Sequence, residues 1–174
     1  MITIRAEILS DVAKREALLN AAFGLKRFRK TSAKLRQGRS AAEGLAFTAV
    51  DGSGKFIGTV RLWNIIAGSA GPALLLGPLA VQQSAQGQGV GAALMNHALE
   101  EAKRLGHAAI LLVGDAPYYS RFGFTPSHTQ FLHLPGPVER ARFLGLELEN
   151  GALDGAEGLV AAAGRVLELA KKVA

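Results

Sequence analysis

The stretch "LAVQQSAQGQGVGAALM", residues 79–95, decides the fold of this chain. It starts with the end of an apolar run and passes through a polar turn. Glycine then alternates with other residues at Gly87, Gly89 and Gly91. From that point apolar residues recur at helical spacing, which predicts a helix over Gly89–Leu105. The stretch therefore predicts a strand, a glycine-rich loop and a helix in direct succession.

Glycines at the start of a helix have a chemical use. The first backbone N–H groups of a helix lack partners, and the helix dipole adds about half a positive charge there. Glycines let a ligand approach that backbone without meeting Cβ atoms. The pattern favours an anion site, most naturally for a diphosphate. The alternative is that the three glycines only shape the turn and let the helix pack closely.

Length and composition fit a folded protein. The 174 residues suit one domain, or one domain with an appendage, and 49% are hydrophobic while 20% are charged. No apolar run approaches the roughly 20 residues of a membrane-spanning helix. The amino terminus lacks the layout of a signal peptide. Cysteine is absent, which excludes disulfides and thiolate metal sites. We expect a cytoplasmic protein without a metal.

The net charge of +6 favours an anionic partner. The one dense basic cluster is Lys26–Arg39, and Phe28 is its single aromatic residue. This distribution argues against nucleic acid and membrane partners. The preferred interpretation of the cluster is a solvated helical face or loop. A surface that meets an acidic ligand is the alternative.

Hydrophobic patterning along the remaining chain predicts an α/β fold. The predicted helix over Gly89–Leu105 joins two buried apolar strands, which should be parallel, whereas the earlier strands have hairpin-length links and should be antiparallel. We expect a mixed, mostly antiparallel central sheet with flanking helices. Leucine, valine and alanine residues between Ala156 and Val173 share one helical stripe. The predicted organisation is a domain over residues 1–155 and a C-terminal amphipathic helix or tail over 156–174. The other predicted elements are strands near residues 1–8, 44–51, 55–65, 73–81, 107–113, 131–135 and 142–150, and a helix over 12–24 that Ser10 and Asp11 could cap.

Two kinds of nucleotide site compete for the glycine-rich loop. Residues 87–92, "GQGVGA", satisfy the G-x-G-x-x-G/A dinucleotide fingerprint, and Asp115 ends the next strand. However, Gln82–Gln86 separate the strand from the glycines, and the preceding chain reads as antiparallel hairpins. An NAD-binding oxidoreductase is therefore the weaker alternative. A P-loop is excluded because no Gly-Lys-Ser/Thr follows.

The other kind of site comes from a family resemblance. "LAVQQSAQGQGVGAALM" followed by "YYSRFGF" resembles the GNAT superfamily of acyl-CoA-dependent N-acetyltransferases. The family motif Q/R-x-x-G-x-G/A is met by Gln86, Gly89 and Gly91, and Tyr119 stands four residues before Gly123. "GTVRLW" and "LPGPVERARFLGLEL" further resemble a bacterial subgroup whose members are classed as N-acetyltransferases by inference. The resemblance covers about residues 1–155.

The resemblance implies a GNAT fold whose sheet is splayed between its fourth and fifth strands, with acetyl-CoA lying in the gap. The pantetheine arm would pair with the backbone of Leu79 and Val81, and the Leu79 N–H would polarise the acetyl carbonyl. Backbone N–H groups from Gln86 to Gly91 would hold the diphosphate. The co-substrate contacts so implied are Leu79, Ala80, Val81, Gln86, Gly87, Gln88, Gly89, Val90 and Gly91.

Acetyl transfer needs a neutral amine and a proton for the leaving thiolate. Tyr119 occupies the family's general-acid position, and a phenol can protonate a thiolate of similar basicity. The alternatives are that Tyr118 faces the cleft, or that both tyrosines are structural. No ionisable residue lies on the strand "LLLGPLAV". Asp115 is an uncertain base, and Glu147 and Glu149 are interpreted as the solvent side of the final strand, so we expect deprotonation through a water chain or an amine of low pKa.

The acceptor site is predicted more weakly. Arg61 and Trp63 alternate on "TVRLW" and should point to one face of a strand that borders the acceptor pocket in the family. Arg61 could pair with an acidic acceptor, and the alternative is a packed Trp with a surface Arg. The acceptor is expected to be a primary amine of a small molecule or a protein. A homodimer stays open because GNAT proteins are often dimeric. A non-catalytic acyl-CoA-binding sensor is the alternative function.

Overall fold

The computed structural model describes residues 1–168, which form strands, helices and short 3-10 turns. The helices are α1 (Val12–Phe23), α2 (Val90–Arg104) and the short α3 (Ala116–Tyr119). Two consecutive 3-10 turns, Leu25–Arg29 and Thr31–Leu35, follow α1. The strands are β1 (Thr3–Ala6), β2 (Ala46–Val50), β3 (Phe56–Ala67), β4 (Pro72–Val81), β5 (Ala109–Val113), β6 (Phe131–His133), β7 (Phe143–Glu147) and β8 (Glu157–Ala162).

The strands form one mixed sheet in the order β1-β2-β3-β4-β5-β7. Every neighbouring pair in that order is antiparallel except β4 and β5, which are parallel across the α2 crossover. Strand β8 adds an antiparallel pairing with β3 and a parallel pairing with β6. The predicted α/β class, with a mostly antiparallel sheet and one parallel pair, is confirmed.

Strand β4 is apolar throughout because both of its faces are covered. Leu74 and Leu76 face the cluster that includes Leu94 of α2, whereas Leu75 faces a second cluster on the opposite side of the sheet. That second side is covered by Leu35 of the 3-10 turn and by residues of β6 and β8. A strand buried on both faces has no polar positions to alternate with apolar ones.

Strands β4 and β5 separate soon after they meet. They pair only at Leu74–Ile110 and Leu75–Leu111, while β4 continues to Val81. Where they part, β4 carries a bulge, since the register with β3 shifts between Val60 and Leu62 and one residue of β3 faces both residues 77 and 78. Trp63 of the neighbouring strand β3 stabilises the bulge, because its Nε1 donates a hydrogen bond to the Gly77 carbonyl at 2.6 Å. The predicted splay between the fourth and fifth strands is present.

The C-terminal helix predicted from Ala156 to Val173 is wrong over residues 157–162, which form β8. Strand β3 extends beyond the end of β2, and β8 fills that free edge with pairs such as Ile65–Ala162. Val160 is only 1% exposed as a result. Long-range pairing therefore overrides the local helical stripe. These residues join the sheet of the predicted 1–155 domain, and the last part of the expected helix, 169–174, lies outside the described residues.

Helix α1 lies where it was expected, but its buried face differs. Leu18 is buried as predicted, whereas Ala13 and Ala22 are exposed. Asp11 precedes the helix without capping it through its side chain. Its carboxylate is 1% exposed and instead accepts hydrogen bonds from Arg5 at 2.7 and 3.0 Å, from the Ile8 N–H and from the Thr48 hydroxyl. Within residues 1–168 no helix is long and apolar enough to cross a membrane.

Candidate active site

Two adjoining cavities open where β4 leaves β5. The cleft cavity, about 620 Å³, has Leu76–Leu79 on one side and Leu112–Asp115 on the other. The loop cavity, about 410 Å³, lies at the start of α2 and is lined by Gln86, Gly87, Gly89 and their neighbours. Tyr118 lines both cavities, so the cavity at the splayed strands and the cavity at the glycine-rich loop adjoin at this side chain.

The glycines of the loop cavity have two different reasons to be glycine. Gly87 and Gly89 have φ of 78° and 81°, and a Cβ on either would meet no atom within 4 Å. They serve the left-handed backbone of the turn. Gly91 has ordinary helical geometry, but a Cβ there would lie 2.8 Å from the Tyr118 hydroxyl. Glycine at this position lets the Tyr118 hydroxyl approach the start of α2 closely.

The first turn of α2 offers free backbone donors to this cavity. Gly89 is the N-cap residue, and no side chain caps the helix through a hydrogen bond. The N–H groups at the start of a helix of 15 residues therefore face an open cradle to which Gly87, Gly89 and Gly91 contribute no Cβ atoms. Such a cradle suits a diphosphate, so the residues present fit the co-substrate that the resemblance implies.

Most of the predicted co-substrate residues line one of the two cavities. Leu79 lines the cleft cavity, and the loop cavity is lined by Val81, Gln86, Gly87, Gly89, Val90 and Gly91. Ala80 and Gln88 line neither. The Ala80 side chain is buried on the α1 side of the sheet, and Gln88 Nε2 donates to the Ser84 carbonyl at 3.4 Å. The buried Ala80 could offer only its backbone to a ligand, whereas Gln88 is exposed.

Both tyrosines of "YYSRFGF" reach the site. Tyr119 lines the cleft cavity, and its ring lies so close to Gly114 that a Cβ there would be 2.4 Å from Cε2. Burial, with a smaller contribution from Tyr118, raises the pKa of Tyr119 to about 12 against the opposing effect of Arg142. The phenol is therefore protonated at neutral pH. Tyr118 packs edge-on against it at 4.9 Å, with its hydroxyl beside Gly91.

Two carboxylates line the cleft cavity, and sequence reasoning missed one of them. Asp115 accepts a hydrogen bond from the Tyr118 N–H at 3.2 Å and caps α3. Glu139 comes from the loop before β7 and is exposed on the cavity wall. No sequence pattern marks Glu139 as a residue of the site, because only the fold brings its loop to the cleft. Glu147, by contrast, accepts a hydrogen bond from the Leu153 N–H at 2.8 Å and does not line the cavity.

Arg61 and Trp63 do share one face, with the guanidinium 5.3 Å from the indole ring, but they do not face the cavity. Arg61 donates twice to Glu7 Oε2, at 3.0 and 2.8 Å, and Arg15 pairs with the other oxygen of Glu7. Trp63 is 6% exposed and holds the Gly77 carbonyl. Both side chains are committed to contacts inside the protein, so the structure gives no support to the expectation that these two residues contact the acceptor.

The basic cluster, in contrast, supplies a wall of the cleft cavity. Arg29 and Lys30 are exposed, as the preferred interpretation of a solvated face or loop expects, and together with Arg27 and Arg36 they also line the cavity. The segment forms two 3-10 turns rather than a regular helix, and its sequence has no periodic pattern that would reveal which side is buried. Over the described part of the chain, no group of three His, Asp or Glu side chains could hold a metal ion.

Comparison with known proteins assigns this arrangement to a class. Residues 42–126 match the family model of the acetyltransferase (GNAT) domain. An uncharacterized N-acetyltransferase of Escherichia coli strain K12, YhbS, is 32% identical over 90% of this chain and 93% of its own length. The chain belongs to the GNAT family of acetyltransferases, as the resemblance predicted, and it is an acyltransferase rather than a nicotinamide oxidoreductase.

Two solved structures resemble the protein over nearly its whole length. One is the E. coli GNAT family N-acetyltransferase YhbS in complex with CoA, with a TM-score of 0.78, 30% identity, and coverage of 93% of this chain and 89% of that chain. The other is a GNAT family acetyltransferase from Brucella melitensis in complex with acetyl-CoA, with a TM-score of 0.69, 25% identity, and coverage of 94% and 96%. Both of those proteins bind the kind of co-substrate that the two cavities fit.

Proposed function

We propose that this protein transfers the acetyl group of acetyl-CoA to a primary amine, with Tyr119 as the general acid. The observation that carries the proposal is that the two cavities adjoin at Tyr118. A glycine cradle with free N–H groups leads, past Tyr118, to a cleft whose depth holds a protonated phenol. The cytoplasm is the proposed location, and the acceptor is a small molecule or a protein amino group.

Different residues bind the co-substrate, align the thioester and transfer the proton. Backbone N–H groups between Gln86 and Gly91 hold the diphosphate, and the edge of β4 around Leu79, which is not paired with β5, aligns the thioester. CoA supplies an acetyl group whose carbon–sulfur bond breaks as the amine nitrogen forms its bond to carbon. The Tyr119 hydroxyl delivers its proton to the departing sulfur. The proton lost by the amine finally restores the phenol, through water or a carboxylate such as Asp115.

The raised pKa of Tyr119 sets the energetic cost of this step. Proton transfer from a phenol of pKa about 12 to an ordinary thiolate of pKa about 8.5 is uphill by roughly 5 kcal/mol. A turnover of about 10 per second allows a barrier of roughly 16 kcal/mol, so the step fits within it. The same buried environment also raises the pKa of a thiol in the cleft, which reduces the difference between its pKa and that of the phenol.

A matched pair of variants tests the role of Tyr119. Tyr119→Phe should lower kcat by about 10²- to 10⁴-fold, the usual contribution of a general acid, while KM for acetyl-CoA changes by less than about twofold. Tyr118→Phe removes a neighbouring hydroxyl and should lower kcat by less than about tenfold. The assay is release of free thiol from acetyl-CoA with a panel of amines. The reverse ranking of the two variants would give the proton-donor role to Tyr118.

The same assay separates an enzyme from a sensor. A non-catalytic acyl-CoA-binding module would bind acetyl-CoA in a calorimetric titration, yet release no thiol with small amines or with lysine peptides. We expect thiol release above the rate of spontaneous hydrolysis with at least one amine. Its absence across the panel, with binding intact, would refute the transferase proposal.

A further inference from the structure

The wall of the cleft cavity is strongly basic, unlike that of the loop cavity. Five cationic side chains line the cavity, Arg27, Arg29, Lys30, Arg36 and Arg142, against two carboxylates, Asp115 and Glu139. The excess of three positive charges lies beside the splayed strands rather than beside the start of α2. The residues that line the loop cavity include one cation, Arg121. The extra charge therefore does not belong to the diphosphate cradle.

Arg36 is the member of this set that the fold places most firmly. It follows a 3-10 turn in which Ala33 and Leu35 are 4% and 2% exposed, and its N–H donates to the Ala33 carbonyl at 3.0 Å. The buried residues anchor the turn, so the Arg36 side chain extends into the cavity. Its Nη1 reaches β4, since a Cβ built on Gly77 would lie 3.9 Å away from it. The guanidinium thus lies beside the bulge where the thioester is proposed to lie.

Two contacts hold this turn against the opposite wall. The Thr31 hydroxyl donates to the Pro137 carbonyl at 2.6 Å, and Lys34 Nζ donates to the Pro135 carbonyl at 3.1 Å. Gly136 allows this approach, because a Cβ there would lie 2.8 Å from the Thr31 hydroxyl oxygen. The position of Arg36 therefore follows from long-range contacts rather than from a free loop.

The Arg36 guanidinium has no protein counter-charge among residues 1–168. No carboxylate lies within 4.0 Å of the guanidinium, and the side chain is half-buried, with its nitrogen atoms still accessible to solvent. Its neighbour Arg27 pairs with Glu16, and Arg61 pairs with Glu7. Burial, followed by the charge of Arg27, lowers the pKa of Arg36 to about 10, so it stays positive at neutral pH. A partly buried cation without a carboxylate partner is free to form charge-assisted hydrogen bonds with an anion that enters the cavity.

We propose that Arg36 binds an anionic group of the acceptor, so that the substrates are small amines that also carry a carboxylate or a phosphate. This inference rests on the proposed transferase function and names its substrate class. A guanidinium matches both anions because its planar fork donates two parallel hydrogen bonds. The cavity of about 620 Å³ is of the size that holds a small molecule. Arg29 and Lys30 add positive charge along the same wall.

Anion binding to the CoA-saturated protein tests the inference without turnover. Saturating CoA occupies the glycine loop, so acetate and inorganic phosphate report on the remaining basic site, and NMR chemical shifts give their affinities. Arg36→Met keeps the length of the side chain and removes the charge. It should weaken binding of the preferred anion by about 10- to 100-fold, the value of a charge-assisted pair of hydrogen bonds. Arg36→Lys keeps the charge but loses the planar pair of hydrogen-bond donors. Its affinity for the anion should lie between those of the unmodified protein and Arg36→Met.

A matched control removes a cation elsewhere. Arg104→Met deletes an exposed charge at the far end of α2, where Arg104 pairs with Glu101, and should leave anion binding unchanged. The melting temperature of Arg36→Met should stay equal or rise, because a half-buried charge without a carboxylate partner is lost. A fall would indicate a structural role and overturn the inference. No anion binding to the CoA-saturated protein, equal binding by Arg36→Met, or a loss of CoA affinity in that variant would also overturn it.

Turnover distinguishes the two anionic groups. β-Alanine is compared with β-alaninamide, and phosphoethanolamine with ethanolamine, so that each pair differs only in the anion. The charged member of the preferred pair should have the higher kcat/KM, and Arg36→Met should remove that preference. Equal use of both members of each pair, or preferred use of lysine peptides that Arg36→Met does not change, would refute the assignment. Thiol release with none of these amines, while Arg36-dependent anion binding persists, would refute the transferase function alone.

Discussion

Replacing Gly91 by alanine separates the two roles that a glycine can have at the start of α2. The added methyl group would lie 2.8 Å from the Tyr118 hydroxyl, whereas van der Waals contacts are best near about 3.5 Å, so the tyrosine must retreat by roughly 0.7 Å. Alanine also favours a helix over glycine by up to about 1 kcal/mol. The two effects oppose each other, and the free energy of unfolding should change by less than about 1 kcal/mol.

Co-substrate binding should respond much more strongly. The methyl group stands in the cradle formed by the first N–H groups of α2, and it should weaken one or two charge-assisted hydrogen bonds, each worth about 1.5–3 kcal/mol. The affinity for CoA in a calorimetric titration should then fall by about 10- to 100-fold. Undiminished affinity in Gly91→Ala would refute the reasoning, since it would mean that the glycine serves helix packing alone.

A second glycine of the same helix region provides the control. Gly106 follows the end of α2 with φ of 87°, and a Cβ there would meet nothing within 4 Å. Gly106→Ala should cost about 1 kcal/mol of stability, because an alanine in a left-handed conformation is strained. Its affinity for CoA should stay unchanged.

Three further outcomes follow from the structure. Gly114→Ala places a methyl group 2.4 Å from the Tyr119 ring and should lower kcat at least tenfold with CoA affinity retained in calorimetry. The pKa of Tyr119 is raised to about 12, so an ultraviolet titration should show a tyrosinate transition near pH 12 that Tyr119→Phe removes. Because that pKa lies above the value of about 10 for an unfolded chain, the stability from this residue is complete below pH 10 and is lost as the pH rises through 12. The pKa of Asp11 is lowered to about 2 by Arg5, so its contribution is present above pH 4 and disappears as the pH falls through 2. Asp11→Asn should remove about 2–3 kcal/mol of that stability in urea unfolding, and an unchanged midpoint would contradict the role of the Arg5 contact.

The parts of the fold that could be predicted are those that local sequence determines. Helix α2 was expected over Gly89–Leu105 and occupies Val90–Arg104. The unbroken apolar run of β4 correctly indicated a strand covered on both faces. Periodicity and glycine placement are local signals. They predict the secondary structure correctly here because no distant contact competes with them.

The parts that could not be predicted depend on distant contacts. The stripe beyond Ala156 fits a helix on its own, but the free edge of β3 converts residues 157–162 into a strand. The carboxylate that engages Arg61 belongs to Glu7, 54 residues away in the chain. The entry of Arg36 into the cleft depends on Leu35 and on a loop about 100 residues later. A single sequence has no local pattern for such pairs.

A crystal structure of the protein with CoA tests the central claim most directly. The diphosphate should lie within hydrogen-bonding distance of the backbone N–H groups between Gln86 and Gly91, and the thiol should lie beside Leu79 in the gap between β4 and β5, with the Tyr119 hydroxyl in reach. A CoA molecule bound elsewhere, or a glycine cradle filled by side chains of the protein, would contradict the account.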